Sequence, residues 1–154
     1  MSGHTGSVST ARPLAPAVYT AFDRAASSLA HAADETAPAP RFVAAHVAAL
    51  QVTAAALATR PRPKGRGGPA NAWVLLARAV PELADWSSYF AAGAGKRALA
   101  EAGLEHVVTQ AEADRLLDAS QQYFREVAEL LGLTPAVLMG SAGAFDDERM
   151  PRAS

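Results

Sequence analysis

Arg41-Phe-Val-Ala-Ala-His46-Val-Ala-Ala-Leu50-Gln-Val-Thr53-Ala-Ala-Ala-Leu57-Ala-Thr59 is apolar on almost every side. Ala and Leu favour the helix, and a helix that is hydrophobic all round needs neighbours on all its faces. The stretch is long enough to raise the question of a membrane span. It is slightly short for one, is dominated by Ala, and is interrupted by His46, Gln51 and Thr53. The expectation is therefore the central helix of an all-α bundle, starting near Pro40 or Arg41 and running to about Thr59.

Outward from this segment the sequence is punctuated into further helices. Upstream, Val18, Phe22, Ala25, Leu29 and Ala32 recur at three- and four-residue spacing, which predicts a helix over about 17–35. Ala37-Pro38-Ala39-Pro40 ends it, since proline cannot continue a helix. Downstream, residues 60–69 hold three prolines and three glycines and read as a loop. Asn71 is placed to cap a short helix through Ala79, with Trp73, Leu76, Ala77 and Val80 along one face. Pro81 suits the first position of a fourth helix, whose buried stripe is Leu83, Trp86, Phe90 and Ala94 and whose end is near Gly103. Thr109 and Glu112 form a capping-box pattern. The amphipathic run after it holds Leu116, Leu117, Ser120, Tyr123, Phe124, Val127, Leu130 and Leu131, and Gly132 stops it.

The expected architecture is a single-domain bundle of four to five helices over 16–132. A disordered N-terminal segment covers 1–15, and a flexible tail covers 133–154, with an apolar cluster at Val137–Met139 and acids at Asp146–Glu148. A chain of 154 residues is one domain, large enough to hold a core without a disulfide or a metal. With no cysteine there is no thiol nucleophile and no thiolate metal site. The N-terminus has no signal-peptide pattern. Both features fit a reducing, cytoplasmic compartment. A formal net charge of −1 excludes steering of polyanions by a global field, so any nucleic-acid contact rests on a local patch.

The catalytic signatures of phosphate loops, zinc proteases and serine hydrolases are missing, and His4, His31, His46 and His106 do not stand at metal-ligand spacing. Neither a metal nor a cofactor is expected. Two Arg/His pairs remain: Arg41 with His46, and Arg24 with His31. Histidine can take or give the proton in RNA cleavage, and arginine can stabilise the charge on the phosphorane. A seven-residue step returns to the same helix face, whereas a five-residue step turns through about 140°. Arg41 and His46 therefore converge only at a frayed helix start or across a dimer. The alternative for His46 is a core or interface histidine making one hydrogen bond. For Arg24 and His31 it is a solvated helix face. Arg60, Arg62, Lys64 and Arg66 form a Pro-interrupted basic loop that could grip phosphates or serve as a plain linker. A DNA-binding regulator ranks last, because no polar recognition helix follows a short turn.

The order of Arg41-Phe-x-x-Ala-His46, the basic loop, Asn71-x-Trp-x-Leu-Leu76, Pro81-Glu-Leu-x-x-Trp86 and the capped helix Thr109–Leu131 resembles the small actinobacterial HEPN-domain proteins. The resemblance covers about residues 17–132. It implies an all-α bundle, often a homodimer. It also implies a role as a metal-independent endoribonuclease of toxin or defence systems, as an RNA-binding protein, or as a partner of a nucleotidyltransferase. The superfamily's ribonuclease motif is Arg, four to six residues, then His, with a polar residue commonly after the Arg. Arg41 and His46 match that spacing, Arg24 and His31 are a second pair, and the residues that follow the arginines are Phe42 and Ala25. On this reading His46 is the acid/base, Arg41 stabilises phosphate charge, and the basic loop grips the backbone. The competing class is a non-catalytic dimerisation or protein-interaction module.

Overall fold

The computed structural model describes residues 13–61 and 71–133. Among these residues there are five α-helices, two 3₁₀ turns and no strand. The helices are α1 (Pro16–Asp34), α2 (Pro38–Ala58), α3 (Ala72–Ala79), α4 (Ala84–Glu101) and α5 (Gln110–Leu130). The 3₁₀ turns, Pro81–Leu83 and Glu105–Val107, lead into α4 and α5. The expected N-terminal segment lies outside the described residues up to position 12, and the expected tail lies outside them from 134 onward.

Helix ends follow local chemistry. The Asn71 side chain accepts from the Val74 N–H at 3.0 Å, which starts α3. Thr109 and Glu112 exchange the two bonds of a capping box at the head of α5. α4 and α5 end alike: Gly103 and Gly132 take positive φ, and the next residue returns a six-to-one bond, Leu104 to Leu99 and Leu133 to Ala128. Two boundaries differ from the sequence reading. α2 begins at Pro38, because a proline in the first turn loses no hydrogen bond and its fixed φ is already helical. Pro81 opens a 3₁₀ turn rather than α4 itself.

α2 is the axis. It packs on α1, α3, α4 and α5, and Ala45, Ala48, Ala49 and Ala55 are fully buried. These small side chains let the neighbours approach closely, so burial energy comes from the large residues they admit: Phe22, Phe90, Leu76 and Tyr123, each about 2 kcal/mol. α2 is also long and apolar enough to cross a membrane by composition, and here its apolar faces are the core of the bundle. α1 runs antiparallel to α2, with Ser28 donating to Gln51 at 2.7 Å. α5 runs parallel to α2, joined by Ser120 donating to the Ala45 carbonyl at 2.9 Å and by a 2.7 Å bond between Thr53 and Tyr123. Phe22 and Phe124 meet edge to face at 5.1 Å and close the α1–α5 side.

Two sequence expectations need correction. On α4 the buried position between Leu83 and Phe90 is Ser87, whose hydroxyl donates to the Trp73 carbonyl, and Trp86 lies half-buried. Its indole N–H instead donates to Glu126 at 2.9 Å, a pairing that places the tryptophan at the rim. At the end of α5, Leu130 is 42% exposed, whereas Leu133, expected as the first residue of the flexible tail, is buried in the core and bonded to Ala128.

The Thr53–Tyr123 pair gives an asymmetric prediction. Thr53 also donates to the Ala49 carbonyl, so Tyr123→Phe leaves no orphaned group and should cost about 1 kcal/mol. Thr53→Val strands the buried phenol and should cost about 2 kcal/mol. Urea denaturation of both variants measures the difference.

Candidate functional site

Arg41 and His46 leave α2 in different directions, as their five-residue step requires. Arg41 turns to the end of the bundle where α1 finishes. Its Nε donates to the Ala32 carbonyl at 3.1 Å and one Nη donates to Ala33 at 3.3 Å, filling acceptors that the end of α1 leaves open. The other Nη lies 2.6 Å from Asp114 of α5. Hydrogen bonds from the Gln110 amide and from Arg41 hold the Asp114 carboxyl below its ordinary value. One guanidinium thus joins three helices, and its side chain is 19% exposed.

His46 turns the other way, towards α3 and α4, and its exposure is 0%. Its Nε2 lies 3.0 Å from the Phe90 carbonyl. A carbonyl only accepts, so Nε2 carries the proton and Nδ1 keeps its lone pair. Nδ1 has no hydrogen-bond partner among the described residues. The rings of Trp73 and Phe90 stand edge-on at 5.7 and 6.2 Å. Gly93 passes close by: a Cβ there would lie 3.7 Å from the imidazole and 3.6 Å from Phe42. Burial lowers the His46 pKa, and the Phe90 bond only partly opposes it.

The second pair is placed differently. Arg24 and His31 are both exposed on α1. His31 lies 3.3 Å from Glu35, one turn on. With Ser27 and Ser28 it also edges an open cleft of about 500 Å³, floored by Val43 and Val47 of α2 and walled by Ala100 of α4. A smaller groove of about 320 Å³ lies between α4 and α5. Neither Arg41 nor His46 lines either cleft.

Of the basic loop, Arg60 is described, and Arg62, Lys64 and Arg66 lie outside the described residues. Arg60 donates to the Ala79 carbonyl at 3.0 Å and pairs with Glu82 at 2.7 Å, so it fastens the end of α2 to the end of α3.

The family model for SAV_6107-like HEPN domains matches residues 32–128, more than half of the chain and the part that holds α2 to α5. The chain belongs to this HEPN family. No curated protein and no solved structure matches it. In this HEPN domain the Arg-x₄-His spacing falls on the central helix, where it serves two separate surfaces of that helix. Sequence reading missed Ser87, Thr53 and the groove between α4 and α5. Their partners lie on other helices, and no spacing within one helix announces them.

A buried neutral histidine makes stability depend on pH with a definite sign. His46 has a lower pKa folded than unfolded, so the unfolded chain takes up the proton first. Its contribution is whole above about pH 6.5 and is lost as pH falls below that. The paired carboxylates Glu82, Glu112 and Asp114 act in a lower window, because their pKa values are depressed below the carboxylate range. His46→Gln keeps an N–H for Phe90 without titrating. Urea midpoints at pH 7.5 and pH 5 should converge in this variant and stay apart in the parent chain.

Proposed function

We propose that this HEPN domain is a non-catalytic interaction module that works by docking, rather than an endoribonuclease that uses Arg41 and His46. The observation that carries this reading is the complete burial of His46 beneath α3 and α4, with its one proton committed to Phe90. A general acid or base must come within hydrogen-bond reach of the proton it moves. For His46 that reach would require opening the packing of Trp73, Phe90 and Gly93 around its ring. Arg41 would have to leave two helix-end carbonyls and Asp114 to meet a phosphate. Family membership supports a partner of one of two kinds, a second copy of the domain or a nucleotidyltransferase.

A second reading, RNA engagement with metal-independent cleavage in a toxin or defence setting, draws on Arg24 and His31. These two are exposed on one helix, and His31 edges the larger cleft beside two serines. Arg62, Lys64 and Arg66 would supply the phosphate grip.

Labelled single-stranded RNA incubated with the purified chain in EDTA separates the readings. The expected result is no cleavage by the parent chain. EDTA-resistant cleavage that His46→Gln abolishes without lowering the thermal midpoint overturns the proposal. Cleavage lost in His31→Ala and kept in His46→Gln moves the assignment to the second reading.

A further inference from the structure

α4 and α5 follow each other in sequence, yet their backbones stand apart. Two side-chain bridges span the gap: Trp86 to Glu126 at 2.9 Å near one end, and Lys96 to Glu112 at 2.5 Å near the other. Between the bridges lies the groove of about 320 Å³, with Phe42 of α2 and Leu116 of α5 among its apolar lining and Tyr89 on its α4 wall. Tyr89 is 45% exposed and packs edge-on against Trp86 and Phe90, so its free face is offered to the groove. Arg115 lines the same groove, is exposed, and makes no hydrogen bond or ion pair among the described residues. Lys96 is already matched by Glu112, so among the described residues Arg115 is the groove's charge without a counter-ion.

The surface asks for an apolar, preferably aromatic, group next to an acid. The chain itself carries such a segment, Ala144-Phe145-Asp146-Asp147-Glu148. It is within reach. From Leu133 back along α5 to Arg115 is about 27 Å at the helical rise. The twelve residues from Leu133 to Phe145 can span about 40 Å when extended. We propose that the segment 144–148 docks in its own α4–α5 groove, with Phe145 against Tyr89 and Leu116 and with the acids on Arg115. The tail then covers one apolar face of the domain and competes with any partner that seeks it. This goes beyond the docking function proposed above and does not depend on what the domain binds.

The absence of cysteine makes the test direct, because one introduced thiol is unique. A nitroxide on Ser141→Cys in the full chain should broaden the amide resonances of Ala92, Gly93, Lys96 and Leu116 at least twofold more than those of α1. The broadening should be independent of protein concentration. Arg115→Glu should remove it, and adding Asp146→Lys, Asp147→Lys and Glu148→Lys to that variant should restore it. Absence of broadening at the groove, or equal broadening over the whole surface, overturns the proposal. Broadening that grows with protein concentration overturns it too, and assigns the groove to a second copy. Broadening that survives Arg115→Glu removes the role given to charge and defeats the proposal as stated. None of these outcomes bears on RNA cleavage, so failure here and failure of the docking reading can be told apart.

Discussion

Everything in the bundle depends on α2 being surrounded. Its alanines bring four helices close, and close approach takes the polar side chains His46 and Thr53 out of solvent. His46 and Thr53 must find protein partners, and Ala45 must lend its carbonyl. Each of these bonds selects a specific neighbour at a specific height: Phe90 on α4, Tyr123 on α5, Ser120 one turn before it. An Ala-rich interface alone could slide by a turn at little cost, since small side chains interdigitate weakly. The buried polar bonds remove that freedom, so the register of α4 and α5 against α2 is set by hydrogen bonds more than by shape.

The ends of the bundle apply the same logic with charge. Arg41 closes the last turn of α1 and meets Asp114 at the start of α5. Arg60 closes the last turn of α3 and meets Glu82 in the next 3₁₀ turn. In both, a guanidinium answers the carbonyl end of one helix and a carboxylate near the start of another element, which is where helix dipoles favour each sign. Arginine suits this task because its fork presents several donors at once and it stays charged.

This division of labour explains what was legible beforehand. Local signals were plain: Asn71, the Thr109–Glu112 box, and the glycines at 103 and 132 act within four or five residues of themselves. So was the all-α fold, because stripes such as Val18–Phe22–Ala25 and Leu116–Ser120–Tyr123–Val127 have a helix period. The centrality of α2 followed from its uniform apolarity. What stayed hidden lay between helices. Nothing near Ser87 in sequence says that it bonds to Trp73, and nothing near Trp86 points to Glu126. The candidate site was only half legible for the same reason. Spacing gave the angle between Arg41 and His46 correctly, but which helix each would meet depended on packing that spacing does not encode.

That distinction bears on how an Arg-x₄-His pattern is to be read. A catalytic pair needs two polar side chains to converge on one substrate, and a central helix needs polar side chains to diverge towards separate neighbours. A step of about 140° serves divergence without strain, whereas convergence demands a broken helix start or a second subunit. Here the helix is intact from Pro38, the arginine lies within its first turns, and every strong donor of the pair is engaged inside one chain. The same letters at the same spacing can therefore mark an active site in one helical bundle and the cross-bracing of the core in another. Burial of the histidine, which depends on what covers its face of the helix, is what separates the two.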